Sequence, residues 1–267
     1  MKFLLYCLVI VALSTIWYAY LHKKTHISLR FLYKDNLLNI SICCVLVLTL
    51  SQFVSLWIAG VLGIIAVFVC FSILFLIRFY RIPFMRGRKV HSSEDELLSP
   101  ADGNVIYIKR VEGGEVPCSV KNCRTATLNE VMQTGIINNP VWMIGINMTP
   151  FDVHRNASPL SGTIVLNHHI NGQFASLKDK NALGINERNT MVINHNGHLV
   201  GIIQTASRLV RRIVTYKKEG EVISKGEWLG MIRFGSQVDL IIPAEWEVNV
   251  KLGEQVYTKE TIIARIK

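Results

Sequence analysis

The sequence predicts a mainly β domain preceded by N-terminal transmembrane α-helices, and three observations support this. The chain of 267 residues is 50% hydrophobic and 18% charged, with a mean hydropathy of +0.32. An ordinary soluble domain has about a quarter charged residues, so the composition favours a membrane protein and excludes a disordered one. Uncharged stretches dominate the first 78 positions, and from Leu98 onwards short β-branched and aromatic runs alternate with Gly, Asn and Pro.

The first part of the chain contains stretches long enough to cross a bilayer. No charged residue occurs over 3–21 or over 36–77. A helix rises ~1.5 Å per residue and the hydrocarbon core is ~30 Å thick, so the first stretch fits one span and the second fits two. We therefore expect a membrane anchor at 1–79 with about three spans and a tight turn near 55–60.

The basic residues predict the orientation of these spans. They cluster in the loop 22–35 and again over 78–89, and three spans put both clusters on one side, which the positive-inside rule makes cytoplasmic. We expect the anchor in the cell (inner) membrane and the domain at 80–267 facing the cytoplasm. A cleavable signal peptide is the alternative for 1–21, but Trp17, Tyr18 and Tyr20 stand where a cleavage site has small residues.

The charge and cysteine patterns narrow the class of partner. The net charge is +10, which suits an anionic membrane surface, an acidic substrate or nucleic acid. Nucleic acid is disfavoured because no basic helix or aromatic-basic interleaving occurs. Cys118 and Cys123 permit a local disulfide or half of a zinc site, but no second pair completes one, so reduced thiols in a loop are preferred. The other four cysteines lie in apolar stretches and act as small hydrophobes: Cys7, Cys43, Cys44 and Cys70.

The domain at 80–267 is expected to consist of short strands. A few short helices are also expected, one near 128–133 and another around 182–186. The strand-like runs are 104–108, 141–147, 162–166, 190–193, 198–204, 212–216, 237–242 and 247–250.

An internal repeat refines the expected architecture. Residues 218–232 and 251–266 both contain Gly-Glu, a nearby Val, a few polar residues and then a hydrophobic strand, and 99–106 has a related turn feeding a strand. These segments resemble the half-motifs of the barrel-sandwich hybrid fold of lipoyl and biotinyl carrier domains. Lys225 and Lys259 lack the flanking methionines of a carrier lysine, so we expect that architecture without the carrier function.

Three short motifs carry the chemistry. They are LSPADGN at 98–104, MTPFDVHRNASP at 148–159 and RFGSQVDLIIP at 233–243. Each is weak alone, because Asp-Gly is usually a turn and Gly-Ser pairs are frequent. In this order, together with NERN at 186–189 and SRLVRRIVTY at 207–216, they resemble the phosphatidylserine decarboxylase family over about 80–267, in its short bacterial and archaeal form.

The resemblance implies a zymogen that cleaves itself between Gly235 and Ser236. The Ser236 hydroxyl attacks the Gly235 carbonyl, and β-elimination then separates a large chain, 1–235, from a small chain, 236–267, whose first residue becomes a pyruvoyl group. The family assigns the base to His154 and its orienting carboxylate to Asp102, because a hydroxyl is a poor nucleophile without a base. No external cofactor and no metal are then expected.

The resemblance also implies decarboxylation of phosphatidylserine to phosphatidylethanolamine in phospholipid biosynthesis, with the pyruvoyl carbonyl as electron sink. His154 is the expected acid that protonates the product carbanion. Some family members have a second histidine where this chain has Ala157, so either His154 serves both steps or another histidine contributes. The other candidates are His168, His169, His195 and His198.

The residues beside His154 are candidate substrate ligands. Asn147, Arg155 and Asn156 are expected to shape the pocket or to meet the carboxylate or phosphate of the substrate, for which arginine is well suited. Beyond an anionic phospholipid in a membrane, the expected partners are a second copy of the chain and, for each cleaved chain, the other one.

Three alternatives stay open. The same chemistry on an archaetidylserine-like lipid differs only in the tail. A membrane-anchored metallopeptidase would use His154, Asp152, His195 and His198 as ligands, although its His-x-x-x-Asp pattern is absent. A membrane-tethered adaptor that has lost processing accounts for the spans and the repeat, but not for the joint occurrence of Asp102, His154 and Gly235-Ser236.

Overall fold

The computed structural model describes most of the chain as two compact units, within Met1–Arg81 and Ile82–Lys267. The expected helices at 128–133 and 182–186 lie outside the described residues, except for Asn186, as do Cys118 and Cys123. The described residues are 2–25, 29–79, 90, 92–112, 115–116, 126–127, 135–137, 140–149, 152–172, 186–206, 213–232 and 236–267.

The N-terminal unit consists of helices α1 (Lys2–Thr25), α2 (Leu29–Leu50) and α3 (Leu56–Phe79). All three are long and apolar enough to cross a membrane, which confirms the expected number. The turn between α2 and α3 lies at 51–55, slightly earlier than expected. Ser55 fixes the start of α3 because its Oγ accepts a hydrogen bond from the backbone N–H of Ile58 at 3.5 Å.

Polar side chains join the three helices. Nδ2 of Asn39 in α2 donates to Oγ of Ser14 in α1 at 3.3 Å and to the carbonyl of Val67 in α3 at 3.2 Å. Ser14 in turn donates to Oδ1 of Asn36 at 2.6 Å. Polar groups in apolar helices are retained where they bond across helices, so this cluster ties α1, α2 and α3 together.

The second unit is mainly β, as expected. An eight-stranded antiparallel sheet has the order β11-β7-β8-β9-β13-β5-β2-β15, and smaller sheets have the orders β1-β16-β14, β10-β12-β6 and β3-β4. The strands are β1 (Glu96–Leu98), β2 (Gly103–Val111), β3 (Glu115–Val116), β4 (Ala126–Thr127), β5 (Val141–Met148), β6 (Arg155–Ala157), β7 (Gly162–Ile170), β8 (Arg188–His195), β9 (His198–Ala206), β10 (Ile213–Thr215), β11 (Val222–Ile223), β12 (Trp228–Ile232), β13 (Ser236–Pro243), β14 (Glu247–Val248), β15 (Gln255–Val256) and β16 (Ile262–Arg265).

The Gly-Glu repeat marks two equivalent turns. Gly220 and Gly253 have φ of 86° and 81°, in the left-handed region that favours glycine. The following glutamates close the turns, since Glu221 accepts the backbone N–H of Lys218 at 2.9 Å and Glu254 accepts that of Lys251 at 2.8 Å. One turn leads into β11 and the other into β15.

The eight-stranded sheet buries side chains on both faces. Along β13, Leu240 and its neighbours at 238 and 242 belong to the larger apolar cluster, and Ile241 belongs to a second cluster. Because side chains alternate along a strand, Asp239 lies on the same face as Ile241. We call these the Leu240 face and the Asp239 face. Both are buried, which is why β13 has few exposed positions.

Candidate active site

The expected cleavage point lies at the start of an internal strand. β13 begins at Ser236, which is opposite Met148 of β5 on one side and Ala206 of β9 on the other. Gly235 and the side chain of Ser236 lie outside the described part of the structure. The backbone of Ser236 is therefore fixed between two long strands, at one end of the eight-stranded sheet.

A tight turn after β5 presents His154. The backbone N–H of Asp152 donates to the carbonyl of Thr149 at 3.0 Å, and Oδ2 of Asp152 accepts the N–H of Thr149 at 2.6 Å. Oδ1 of Asp152 accepts a hydrogen bond from Gln255 at 3.3 Å. Aspartate stabilises such turns by bonding nearby backbone. Burial raises the pKa of Asp152 to about 6, with a smaller contribution from the charge of Asp102.

The chain leading to Ser236 is bonded to His154. The N–H of Ile232, at the end of β12, donates to the carbonyl of His154 at 3.0 Å, and the preceding residue of β12 pairs with Arg155. Four residues of extended chain span at most ~14 Å, which limits the distance from Ile232 to Ser236. The segments 148–154 and 232–236 are thus held together at both ends, because Met148 is opposite Ser236 and His154 is hydrogen-bonded to Ile232.

His154 is fully buried, and its tautomer follows from one contact. Nδ1 lies 2.8 Å from the carbonyl oxygen of Asp152. A carbonyl only accepts, so Nδ1 carries the hydrogen and Nε2 carries the lone pair. Burial lowers the pKa of His154 to about 4, opposed by this carbonyl and by the charge of Asp102. His154 is therefore neutral at physiological pH, as a general base must be.

Asp102 acts on His154 through charge and through the backbone. Its carboxylate is buried and accepts the N–H of Thr258 at 2.8 Å and the N–H of Val153 at 3.4 Å. The next residue, Gly103, passes so close to β5 that a Cβ would lie 2.4 Å from the carbonyl oxygen of Asn147. The close approach explains why glycine follows Asp102, and the hydrogen bond from Val153 ties Asp102 to the residue before His154.

The three candidate substrate ligands occupy different environments. Asn156 is fully buried, its Oδ1 accepts from Gln204 at 2.7 Å and its Nδ2 lies 3.5 Å from the carbonyl of Pro100. It thereby links β6 to β9. Arg155 is half-buried, and Asn147 is half-buried directly opposite Gln237 of β13. Asn147 is thus one residue along β5 from the position opposite Ser236, and it lies on the Asp239 face.

The other histidines fall into two groups. His168 and His169 lie at the end of β7 near Arg188 of β8, and His169 Nε2 is 3.3 Å from Oε1 of Glu187. His195 and His198 flank the β8–β9 turn, and His198 is eight residues, or ~26 Å of strand, from the residue opposite Ser236. Among the residues that the structure describes, no group of three or more His, Cys, Asp or Glu could hold a metal ion, so the metallopeptidase ligand set is not assembled there.

Sequence reasoning missed a polar network on the Asp239 face. Oδ1 of the buried Asp239 accepts hydrogen bonds from Tyr107 and from Nε2 of Gln237, the latter at 2.6 Å. Gln237 also lies 3.2 Å from the Tyr107 hydroxyl. Burial raises the pKa of Asp239 to about 6. Gly145 makes room for the network, because a Cβ there would lie 2.3 Å from the Tyr107 ring. The alternation of Gln237 and Asp239 in an apolar strand was the available signal.

Comparisons with known proteins agree with the family resemblance of the sequence motifs at 98–104, 148–159 and 233–243. The family model described as phosphatidylserine decarboxylase matches residues 73–264. A provisionally named archaetidylserine decarboxylase proenzyme of Methanocaldococcus jannaschii is 40% identical over 74% of this chain and 93% of its own length. Phosphatidylserine decarboxylase proenzymes of Geotalea uraniireducens and Carboxydothermus hydrogenoformans are 33% and 32% identical, over 75% and 80% of this chain and 83% and 92% of their own lengths. This chain therefore belongs to the phosphatidylserine decarboxylase family.

Proposed function

We propose that this chain cleaves itself between Gly235 and Ser236 and then decarboxylates phosphatidylserine to phosphatidylethanolamine. The observation that carries the proposal is the neutral, buried His154, held by its backbone to the strand that leads to the scissile bond. A neutral imidazole with its lone pair on Nε2 is the group that a serine nucleophile requires. The family relationship supplies the reaction class.

In the proposed cleavage, His154 Nε2 accepts the Ser236 hydroxyl proton as Oγ bonds to the Gly235 carbonyl carbon. The C–N bond then breaks, and the amine of residue 236 takes up that proton, so amide becomes ester. A base then removes the Cα proton of residue 236 and the Cβ–Oγ bond breaks, so that Gly235 leaves as a carboxylate with Oγ and residue 236 becomes a dehydroalanine, which takes up a proton at Cβ to become an imine. Addition of water and release of ammonia leave a ketone at residue 236. The charge of Asp102 supports the transient imidazolium.

The start of β13 fits a pyruvoyl group. Residue 236 is the first residue of the strand, and its backbone is held directly between β5 and β9. When present, the group supplies a carbonyl that withdraws electrons during loss of carbon dioxide. For the proton that completes the product, we propose His154 in its protonated form, which the negative charge of a bound phospholipid headgroup would favour.

The two cleaved chains are expected to remain together. The small chain, 236–267, would supply β13, which lies between β5 and β9 inside the eight-stranded sheet. It would also supply β15 and β16, which pair with β2 and β1 of the large chain. Separating the chains would expose both faces of a buried strand. A homodimer is proposed from the family alone, and native mass spectrometry in detergent tests it.

The location and the lipid tail are proposed on separate grounds. The three apolar helices could hold the enzyme at a bilayer that contains its substrate. The basic clusters at 22–35 and 78–89 support a cell-membrane location with the catalytic domain in the cytoplasm. An archaetidylserine-like lipid is a second candidate substrate, favoured by the name of the relative from Methanocaldococcus jannaschii. The reacting amine and carboxylate are the same in both lipids.

The test is an intact-mass spectrum of the full chain purified from membranes, with Ser236→Ala as control. We expect a large chain ending at Gly235 and a small chain of 267 − 235 = 32 residues, blocked to N-terminal sequencing, and a single intact chain in the control. Nanodiscs containing either diacyl phosphatidylserine or its ether-linked archaeal counterpart then identify the lipid by release of carbon dioxide. A folded wild-type chain that stays intact would refute the proposal and favour the adaptor.

A further inference from the structure

The segment 255–258 lies against the two acidic residues of the site. It starts in β15, the edge strand of the eight-stranded sheet, and in the proposed cleavage it belongs to the small chain. The N–H of Thr258 donates to Oδ1 of Asp102 at 2.8 Å, and Oδ2 of Asp102 accepts the N–H of Val153 at 3.4 Å. Asp102 therefore bonds to the small chain through one oxygen and to the turn 149–154 through the other.

Asp152 is bonded in the same way. Its Oδ2 accepts the N–H of Thr149 at 2.6 Å within the turn, and its Oδ1 accepts a hydrogen bond from Nε2 of Gln255 at 3.3 Å. Gln255 is half-buried, and its backbone is fixed by the pairing of β15 with β2. Thr258 reaches Asp102 through its backbone, whereas Gln255 reaches Asp152 through its side chain. The contact with Asp152 is thus the one that a substitution can remove while the main chain stays in place.

Asp152 determines the state of His154. Its carbonyl oxygen lies 2.8 Å from Nδ1 of His154, which leaves the lone pair on Nε2. The direction of that carbonyl depends on the turn that Asp152 closes with Thr149, because both the N–H and Oδ2 of Asp152 bond to the backbone of Thr149. Gln255 holds the second carboxylate oxygen, so the carboxylate cannot rotate away from the turn without losing the bond to Gln255.

We propose that Gln255 is a positioning residue, which holds Asp152 so that its carbonyl keeps the ring of His154 in place for cleavage. The inference rests on the proposed function, in which His154 is the base of self-cleavage. A glutamine amide suits this task, because it donates to a carboxyl oxygen without adding a charge next to Asp102 and Asp152. The chain that carries residue 236 thus also orients the base that acts on it.

The first test compares Gln255→Leu with wild type after light releases a photocaged serine at position 236 in nanodiscs. Leucine keeps most of the volume and cannot donate to Asp152. Self-cleavage should therefore slow about 10-fold, because a small displacement of a catalytic group lowers the rate. Lys251→Leu is the matched control, since Lys251 is exposed in the turn before the same strand, and it should cleave at the wild-type rate. Equal rates of all three chains would overturn the inference.

Hydroxylamine identifies the step that Gln255 affects. It attacks the carbonyl of the ester between residues 235 and 236, which forms a hydroxamate at Gly235 and frees the Ser236 hydroxyl. Because His154 acts when the ester forms, cleavage by hydroxylamine should be slowed in Gln255→Leu as much as self-cleavage is. Hydroxylamine cleavage at the wild-type rate would mean that the ester forms normally, which would overturn a role of Gln255 through the base.

The second test is Gln255→Glu, whose bond to Asp152 requires a proton. Burial raises the pKa of Asp152 to about 6, Asp102 adds a second negative charge nearby, and His154 is neutral. At pH 5.5 the two carboxyls share a proton, so the variant should cleave within about 2-fold of wild type. At pH 8.5 both are charged and repel each other, so it should be at least about 10-fold slower than wild type. A ratio to wild type that stays constant over this range would overturn the inference.

Chemical denaturation of each variant in the Ser236→Ala background, at both pH values, separates positioning from folding. A loss of rate that only parallels a loss of folded chain would make Gln255 structural and overturn the inference. If the Leu and Glu variants do not fold, Gln255→Asn decides, because it keeps the amide but is one methylene too short to reach Asp152. It should fold and cleave slowly, and cleavage at the wild-type rate would overturn the inference. A wild-type chain that stays intact would instead refute the proposed function, so the two failures are distinguishable.

Discussion

The buried, neutral His154 predicts an unusual pH dependence of self-cleavage. A base with a pKa of about 4 is ~97% neutral at pH 5.5, whereas a histidine with its usual pKa is only ~9% neutral. The cleavage rate should therefore stay on its plateau down to pH 5.5 and reach half its maximum near pH 4. An ordinary histidine would already have lost about tenfold at pH 5.5.

The measurement requires an unprocessed chain that starts to react on command. Photocaged serine at position 236 supplies it, and light releases the hydroxyl in nanodiscs buffered between pH 3.5 and 9. Gels then follow the appearance of the small chain. Asp102→Asn should lower the half-maximum further, because the Asp102 charge raises the pKa of His154. A half-maximum near pH 6.5, or cleavage at the wild-type rate in His154→Gln, would refute the assignment of the base.

Three further predictions concern stability and are measured by chemical denaturation of full chains in the Ser236→Ala background. At pH 8, the Asp239→Asn variant should have a larger free energy of unfolding than the chain with aspartate at this position. Folding raises the pKa of Asp239 from 3.8 to about 6. The free energy of unfolding of the aspartate chain should therefore rise by ~3 kcal/mol as Asp239 becomes protonated between pH 7 and pH 4. A stability difference between aspartate and asparagine that does not change with pH would contradict this. Gly145→Ala should destabilise the fold by ~1–3 kcal/mol, because its Cβ meets the Tyr107 ring. Gly135→Ala, whose Cβ would meet no described atom within 4 Å, should be neutral. Asn39→Leu should lower the free energy of unfolding by ~1 kcal/mol, because it removes the hydrogen bonds between helices. Ser41→Ala loses only a bond within α2 and should not lower it. Equal effects of the two variants would exclude a stabilising role of the interhelical cluster.

Local features of the sequence predicted most of the architecture. The three apolar helices of membrane-spanning length follow from the uncharged stretches, because hydrophobic length decides whether a helix can cross a bilayer. The mainly β domain follows from short runs broken by turn residues, and the repeated Gly-Glu turns follow from the conformational freedom of glycine. The motifs around Asp102, His154 and Ser236 were sufficient to indicate the family.

Tertiary structure decided the properties of the site. That His154 is neutral, with its hydrogen on Nδ1, depends on its burial and on the carbonyl of Asp152, neither of which spacing reveals. Arg188, Thr205 and Gln237 are far apart in sequence and become neighbours only through the register of β8, β9 and β13. Register depends on how the whole sheet packs, because a shift of one residue moves every side chain to the opposite face. The sequence by itself therefore determined the family and the three apolar helices, whereas the protonation state of His154 and the alignment of Arg188, Thr205 and Gln237 required the folded sheet.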